Sequence, residues 1–195
     1  MTCVIGFIDR ENKILHMIGD SLGSNGYTGE GQKVPKIFRS RDSENILIGS
    51  AGSFRQSDIL MYNSFFDETD ILRNKKIDHE YMVTKFIPTL QYVLSKEGLL
   101  IEELGEKKGG NFLIGNSDNL YEVQDDFSIL ENISSFNAIG SGENFAKGSL
   151  FTTKEMDLTI KAKLIIAISA AEQYSTGVSR PFIYMNTDGE YEIIN

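Results

Sequence analysis

Apolar residues crowd into two short runs at the start of the chain, residues 2–8 and 14–19, and the polar stretch Asp9-Arg10-Glu11-Asn12-Lys13 between them predicts a hairpin. After the glycine-rich residues 23–31, strand patterns return at 34–38 and 45–51, bridged by the charged residues 39–44. The period then changes. Residues 54–66 and 79–96 read as helices, the second on Met82, Phe86, Leu90 and Val93 at helical spacing, with Pro88 set to kink it. Beyond a polar loop at 102–110, apolar runs at 112–115, 120–123, 127–130 and 136–139 predict a second antiparallel sheet. Helical character resumes at 143–151 and 157–173, where Ile160, Leu164, Ile165, Ile168 and Ala171 share one face, and two last strands flank Thr187-Asp188-Gly189. This order buries every apolar face if two sheets stack with helices outside them, an α+β fold of the four-layer αββα sandwich type.

Composition narrows the class of protein. At 195 residues, 41% hydrophobic and 24% charged, the chain reads as one globular domain over residues 1–195 with no linker. Its longest apolar run, residues 164–171, is too short to cross a bilayer, and the N-terminus lacks the pattern of a signal peptide, so the expectation is a cytoplasmic protein away from membranes. A single cysteine, Cys3, leaves no intrachain disulfide and no Cys-built zinc site, and it reads as a strand-packing residue. With a net charge of -9 and scattered cations, nucleic acid is not an expected partner.

Candidate chemistry begins at Thr2. Loss of Met1 would put a hydroxyl and a free α-amine on one residue, and an amine with a pKa near ~8 can act as the base that a threonine hydroxyl lacks. No histidine is then needed, which suits a chain whose two histidines, His16 and His79, have no evident catalytic neighbour. Such chemistry calls for no cofactor and no metal.

Six fragments in order carry a resemblance. Thr2-Cys3-Val4-Ile5-Gly6, Ile18-Gly19-Asp20, Lys33-Val34-Pro35-Lys36-Ile37, Ile48-Gly49-Ser50-Ala51-Gly52, Ala138-Ile139-Gly140-Ser141-Gly142 and Ile168-Ser169-Ala170-Ala171 together resemble the proteasome β-subunit family, in particular its HslV-like branch. The resemblance implies a threonine-type N-terminal nucleophile hydrolase that cleaves peptide bonds. In that reading Thr2 is the nucleophile, Lys33 the neighbouring cation and Asp20 its partner. Gly49 supplies an N–H to the oxyanion, and Ser141 orients the terminal amine. Lys36 is the competing lysine. Leu47 and Ala51 resemble the family's side-chain pocket and imply apolar residues on the acyl side of the cut. The segment Tyr174-Ser175-Thr176-Gly177 lacks the family's Asp, and Thr176, ahead of Ser175, is the candidate to supply a supporting hydroxyl. A homo-oligomeric ring, an ATP-dependent unfoldase partner and peptide or unfolded-protein substrates are further implications of the family.

Gly19-Asp20-Ser21-Leu22-Gly23 also matches the GDSL esterase signature and the G-x-S-x-G elbow. A serine of that class needs a histidine base near the C-terminus, whereas the last histidine here is His79, and no helical pattern follows Ser21. Two other readings stand beside the peptidase: a non-catalytic assembly subunit that keeps Met1, and a small-molecule amidohydrolase on the same scaffold.

Overall fold

The structure, a computed structural model, describes residues 1–24, 27–72 and 76–195. Its first half contains β1 (Val4–Asp9), β2 (Ile14–Asp20), β3 (Leu22–Ser24), β4 (Gly29–Gly31), β5 (Ile37–Arg39), β6 (Leu47–Ser50), α1 (Phe54–Tyr62) and α2 (Glu68–Leu72). There follow α3 (His79–Tyr81), a π-helical turn (Met82–Phe86), α4 (Ile87–Lys96), β7 (Ile101–Glu103), β8 (Glu106–Lys108), β9 (Phe112–Gly115), β10 (Leu120–Val123), β11 (Ile129–Glu131) and β12 (Phe136–Ile139). The chain ends with α5 (Glu143–Thr153), α6 (Ile160–Tyr174), β13 (Phe182–Asn186) and β14 (Tyr191–Ile194).

Two five-stranded sheets, ordered β12-β1-β2-β13-β14 and β11-β10-β9-β6-β5, stack face to face. Three apolar layers hold the sandwich together. Val4, Leu15, Met17, Ile37, Leu47 and Leu113 fill the space between the sheets. Ile5, Ile18 and Phe182 meet Leu150, Leu164 and Ile168 of α5 and α6 on one outer side. Ile48, Phe112 and Tyr121 meet Leu60, Met82, Phe86 and Leu90 on the other. The αββα sandwich expected from the order of elements is therefore the observed fold.

Departures from the sequence reading have local causes. The glycine-rich stretch and the polar loop at 102–110 each contain a two-stranded hairpin, β3 with β4 and β7 with β8; the polar, exposed faces of these ribbons leave no apolar period to read. The first helix stops at Tyr62 rather than residue 66, because Asp42 captures the N–H groups of Phe65 and Phe66 at 2.8 and 3.0 Å. Ahead of Pro88 the long helix takes a π turn, with Ile87 N–H bonded to the Met82 carbonyl five residues back. Phe127, expected to begin a strand, has φ 66° and belongs to the turn before β11.

Strand direction positions the site. β1 runs antiparallel to both β2 and β12, with Val4 opposite Gly19 on one side and Ile139 on the other. The residues before β1, at the end of β2 and after β12 must then meet at one end of the sheet. Those residues are Thr2, Asp20 and Gly140-Ser141.

Candidate active site

Asp20 ends β2 fully buried, and its carboxylate accepts four hydrogen bonds from three donors. Cys3 N–H and Leu22 N–H reach it at 2.8 and 3.0 Å, and the Lys36 ammonium grips both oxygens at 3.0 and 2.9 Å. The chain before β1, the start of β3 and the lysine before β5 are thereby tied to one group. Burial pushes the Lys36 ammonium below the ordinary lysine range while Asp20 pulls it back up. Burial likewise raises the Asp20 carboxyl against the opposing pull of Lys36 and the two N–H donors. Desolvation of both partners thus makes the cation readier to release a proton than an exposed lysine would be.

Lys36, not Lys33, is the cation of the site, which corrects the sequence assignment. Lys33 is exposed, in the bend before Pro35. Pro35 has no N–H to give to a ladder, so the sheet edge starts only after it, and Lys36 is the lysine carried inward with Ile37 and Phe38. The signal for this was present: Lys36 directly abuts the apolar pair, and Lys33 does not.

Thr2 is 3% exposed. Its N–H donates to Ser141 Oγ at 3.2 Å, and Ser141 Oγ–H can return a bond to the Thr2 carbonyl at 3.3 Å. The Thr2 hydroxyl donates to the Met1 carbonyl at 2.5 Å, and Lys36 Nζ donates to the same oxygen at 3.2 Å. Hydroxyl and ammonium therefore converge on one carbonyl, that of the bond whose cleavage would free the Thr2 amine. Gly142 N–H also caps the Thr2 carbonyl, at 3.2 Å.

The Gly140-Ser141-Gly142 turn can approach Thr2 this closely only because residue 140 has no side chain. Gly140 has φ 93°, and a Cβ there would lie 2.3 Å from the Thr2 carbonyl oxygen. Behind the turn, Ser175 Oγ donates to Ser141 Oγ at 3.3 Å, whereas Thr176 is exposed. Ser175, rather than Thr176, is thus the hydroxyl that reaches Ser141, since the end of α6 leaves 176 facing solvent.

Gly49 does not face the reaction space. Ser50 N–H donates to the Lys36 carbonyl on β5's side and Ala51 N–H to Asn111 on β9's side. By strand alternation the Gly49 N–H points at its partner Leu113 and is spent in the ladder. Its lack of a side chain serves packing instead, because a Cβ would lie 2.4 Å from Val4 Cγ1 in the layer between the sheets. Leu47 is fully buried in that same layer and lines no substrate space. Three residues on, Gly52 has φ 114° and open space where a Cβ would project.

A cavity of about 620 Å³ opens over Thr2, and Met1, Ala51, Gly52, Gln56, Asp125 and Glu143 are among its walls. Ala51 therefore borders the same space as Thr2. The starts of α1 and α5 both border this space. Cys3 points away, into the apolar layer under α5 and α6, and burial pushes its thiol up to about 12, which removes it as a rival nucleophile. Ser21, the serine of the esterase-like string, is 1% exposed, its hydroxyl has no hydrogen-bond partner among the described residues, and a strand rather than a helix follows it. Among the described residues no cluster of three or more His, Cys, Asp or Glu side chains is arranged to hold a metal, and no helix is long and apolar enough to cross a membrane.

No family model and no curated protein sequence matches the chain. Solved structures do. Thiobacillus denitrificans BPH in complex with epoxomicin superposes with a TM-score of 0.72 at 17% identity, covering 100% of both chains. Eukaryotic HslV from Trypanosoma brucei gives 0.64 at 15% identity over 95% of this chain and 98% of that one. The Gly-1 mutant of Anbu from Hyphomicrobium sp. strain MC1 gives 0.64 at 15% identity over 100% and 88%. The chain has an HslV-like proteasome β-type fold, as the ordered fragments of its sequence implied.

Proposed function

We propose that scission of the Met1–Thr2 bond converts this chain into a threonine-type N-terminal nucleophile hydrolase acting on peptide bonds. The observation that carries the reading is the convergence at Thr2. Its nitrogen sits 3.2 Å from Ser141 Oγ, and its hydroxyl shares a carbonyl acceptor with the buried Lys36 ammonium. Freed, the nitrogen is an amine that takes the Oγ1 proton as the oxygen attacks a substrate carbonyl. Lys36 stabilises the developing charge on the attacking oxygen, and Asp20 holds Lys36 in place. Gly52, bordering the cavity with no side chain in the way, supplies an N–H to the tetrahedral oxyanion. The Thr2 ammonium then protonates the departing amine. Water, activated by the same amine, hydrolyses the ester.

The resemblance extends the reading to a cytoplasmic homo-oligomeric ring of one-domain subunits served by an ATP-dependent unfoldase. A second reading has its own support: Met1 is well seated, with its carbonyl doubly bonded and its side chain against Gly177, where a Cβ would meet Met1 Cβ at 2.2 Å. A chain that keeps Met1 is a capped, non-catalytic subunit.

Intact mass and turnover decide together. A terminus beginning at Thr2, with fluorogenic-peptide hydrolysis that falls by at least about a thousandfold in Thr2→Ala, supports the peptidase. Complete retention of Met1 refutes it in favour of the capped subunit. Turnover of small amides but not peptides selects the amidohydrolase, and turnover surviving Thr2→Ala removes the nucleophile.

A further inference from the structure

Apart from the terminal ammonium, the charged groups that line the cavity over Thr2 are carboxylates. Asp125 and Glu143 border it, with the neutral polar groups of Gln56, Asn111 and Ser53 between them, and no Lys or Arg takes part in the lining. Asp125 is exposed, and among the described residues its carboxylate has no hydrogen-bond or ion-pair partner. Glu143 has one loose partner, Lys147 at 4.0 Å on the next turn of α5. A second cavity of about 310 Å³ shares Asn111 and Asp125 with the first and adds Glu122 and Asp126. The acidic lining therefore continues outward from the nucleophile as a path, rather than ending as a local pair.

Opposing this field are the terminal ammonium and the starts of α1 and α5, which favour negative charge. Each helix end amounts to about half an elementary charge and fades within a turn, and Glu143 itself sits in the first turn of α5, where it offsets that end. Two full carboxylate charges at the cavity and two more along its extension outweigh them for any group lying beyond the immediate reach of the helix ends. Nor does Leu47 add an apolar wall to compete, since that side chain is locked between the sheets.

We infer that this site selects peptides with a cationic side chain, arginine or lysine, at the residue whose carbonyl Thr2 attacks. Asp125 and Glu143 are the specificity-determining residues. The inference rests on the proposed hydrolase reading for the word "attacks", but the recognition itself is a binding property that can be measured without turnover.

The test uses the full chain as Thr2→Ala and a matched pair of acetylated tripeptide amides, one ending in arginine and the other in citrulline, which keeps the shape and removes the charge. Calorimetric titration at low salt should show the arginine peptide binding about five- to tenfold tighter, with the ratio falling towards one in 500 mM NaCl. Asp125→Asn and Glu143→Gln should each reduce the ratio about two- to threefold, and both together should abolish it. Equal affinities, tighter citrulline binding, no detectable binding of either peptide, or a ratio untouched by both substitutions overturns the inference. Failure of the hydrolase reading looks different. An unsubstituted chain with Thr2 exposed that binds the arginine peptide yet cuts nothing loses the chemistry and keeps the cation site, whereas one that cuts neutral and cationic peptides equally loses only the preference.

Discussion

A buried lysine held by one aspartate is a poor contributor to stability and a good instrument for chemistry. Removing two charges from water costs several kcal/mol per ion, which the pair recovers only through close geometry and extra hydrogen bonds; Asp20 collects all four that the local chain can offer. Lys36→Met keeps the aliphatic stem and deletes the charge, and peptide hydrolysis should fall at least about a hundredfold, while Lys33→Met leaves the rate within about twofold. Undiminished turnover in Lys36→Met would reject the cation. Because burial raises the Asp20 carboxyl, its protonated form suits the folded state, so the contribution is present at low pH and lost as pH rises through the folded value. The melting deficit of Lys36→Met should accordingly be larger at pH 8 than at pH 5. The sequence made Thr2, Asp20 and Ser141 legible because each sits at a strand end in a recognisable fragment. It pointed to Lys33 where Lys36 reaches Asp20, to Gly49 where Gly52 borders the cavity, and to Thr176 where Ser175 reaches Ser141, because each difference turns on where a strand or helix starts or stops by one to three residues.

Among the elements, β1 and β6 cross at a glycine. Gly49 lets Val4 settle against the backbone of the opposite sheet, and a methyl there would force the Val4 side chain or β1, whose first residues lead directly to Thr2, to shift. Gly49→Ala should cost about 1–3 kcal/mol in denaturant unfolding and lower activity with it. Adding Val4→Ala should return part of both, so that the double variant is less impaired than the two single losses combined. Strict additivity would mean the glycine is needed for something other than room. The long apolar elements were readable from their period: β1, β2, β9, β10, α5 and α6 all fall within a few residues of expectation. The β3–β4 and β7–β8 ribbons were not, since Gly-Glu-Gly and Glu-Lys-Lys expose both faces and imprint no alternation.

Across the molecule, stability is shared among three apolar layers, and one buried histidine makes it sensitive to acid. His16 in β2 bonds the Tyr184 hydroxyl at 2.7 Å through Nδ1, while its Nε2 is buried without a partner among the described residues. Burial holds the imidazole below its ordinary value, so the unfolded chain takes up the proton first; stability is present above the ordinary histidine range and is lost as pH falls through the folded value. Urea midpoints should drop between pH 7.5 and pH 5, and His16→Gln should drop less. An identical drop in both would assign the acid sensitivity elsewhere. The four layers also divide the labour of the site. Thr2, Asp20 and Ser141 hang from one sheet, while Lys36 and Gly52 flank strands of the other. A slip of about 1 Å of one sheet across the other would leave every ladder intact and still spoil the aim of nucleophile and oxyanion donor, a misplacement worth about a hundredfold in rate. On the proposed hydrolase reading, the gap between Thr2 and Gly52 is thus a vernier reading of how the two halves of the sandwich are aligned.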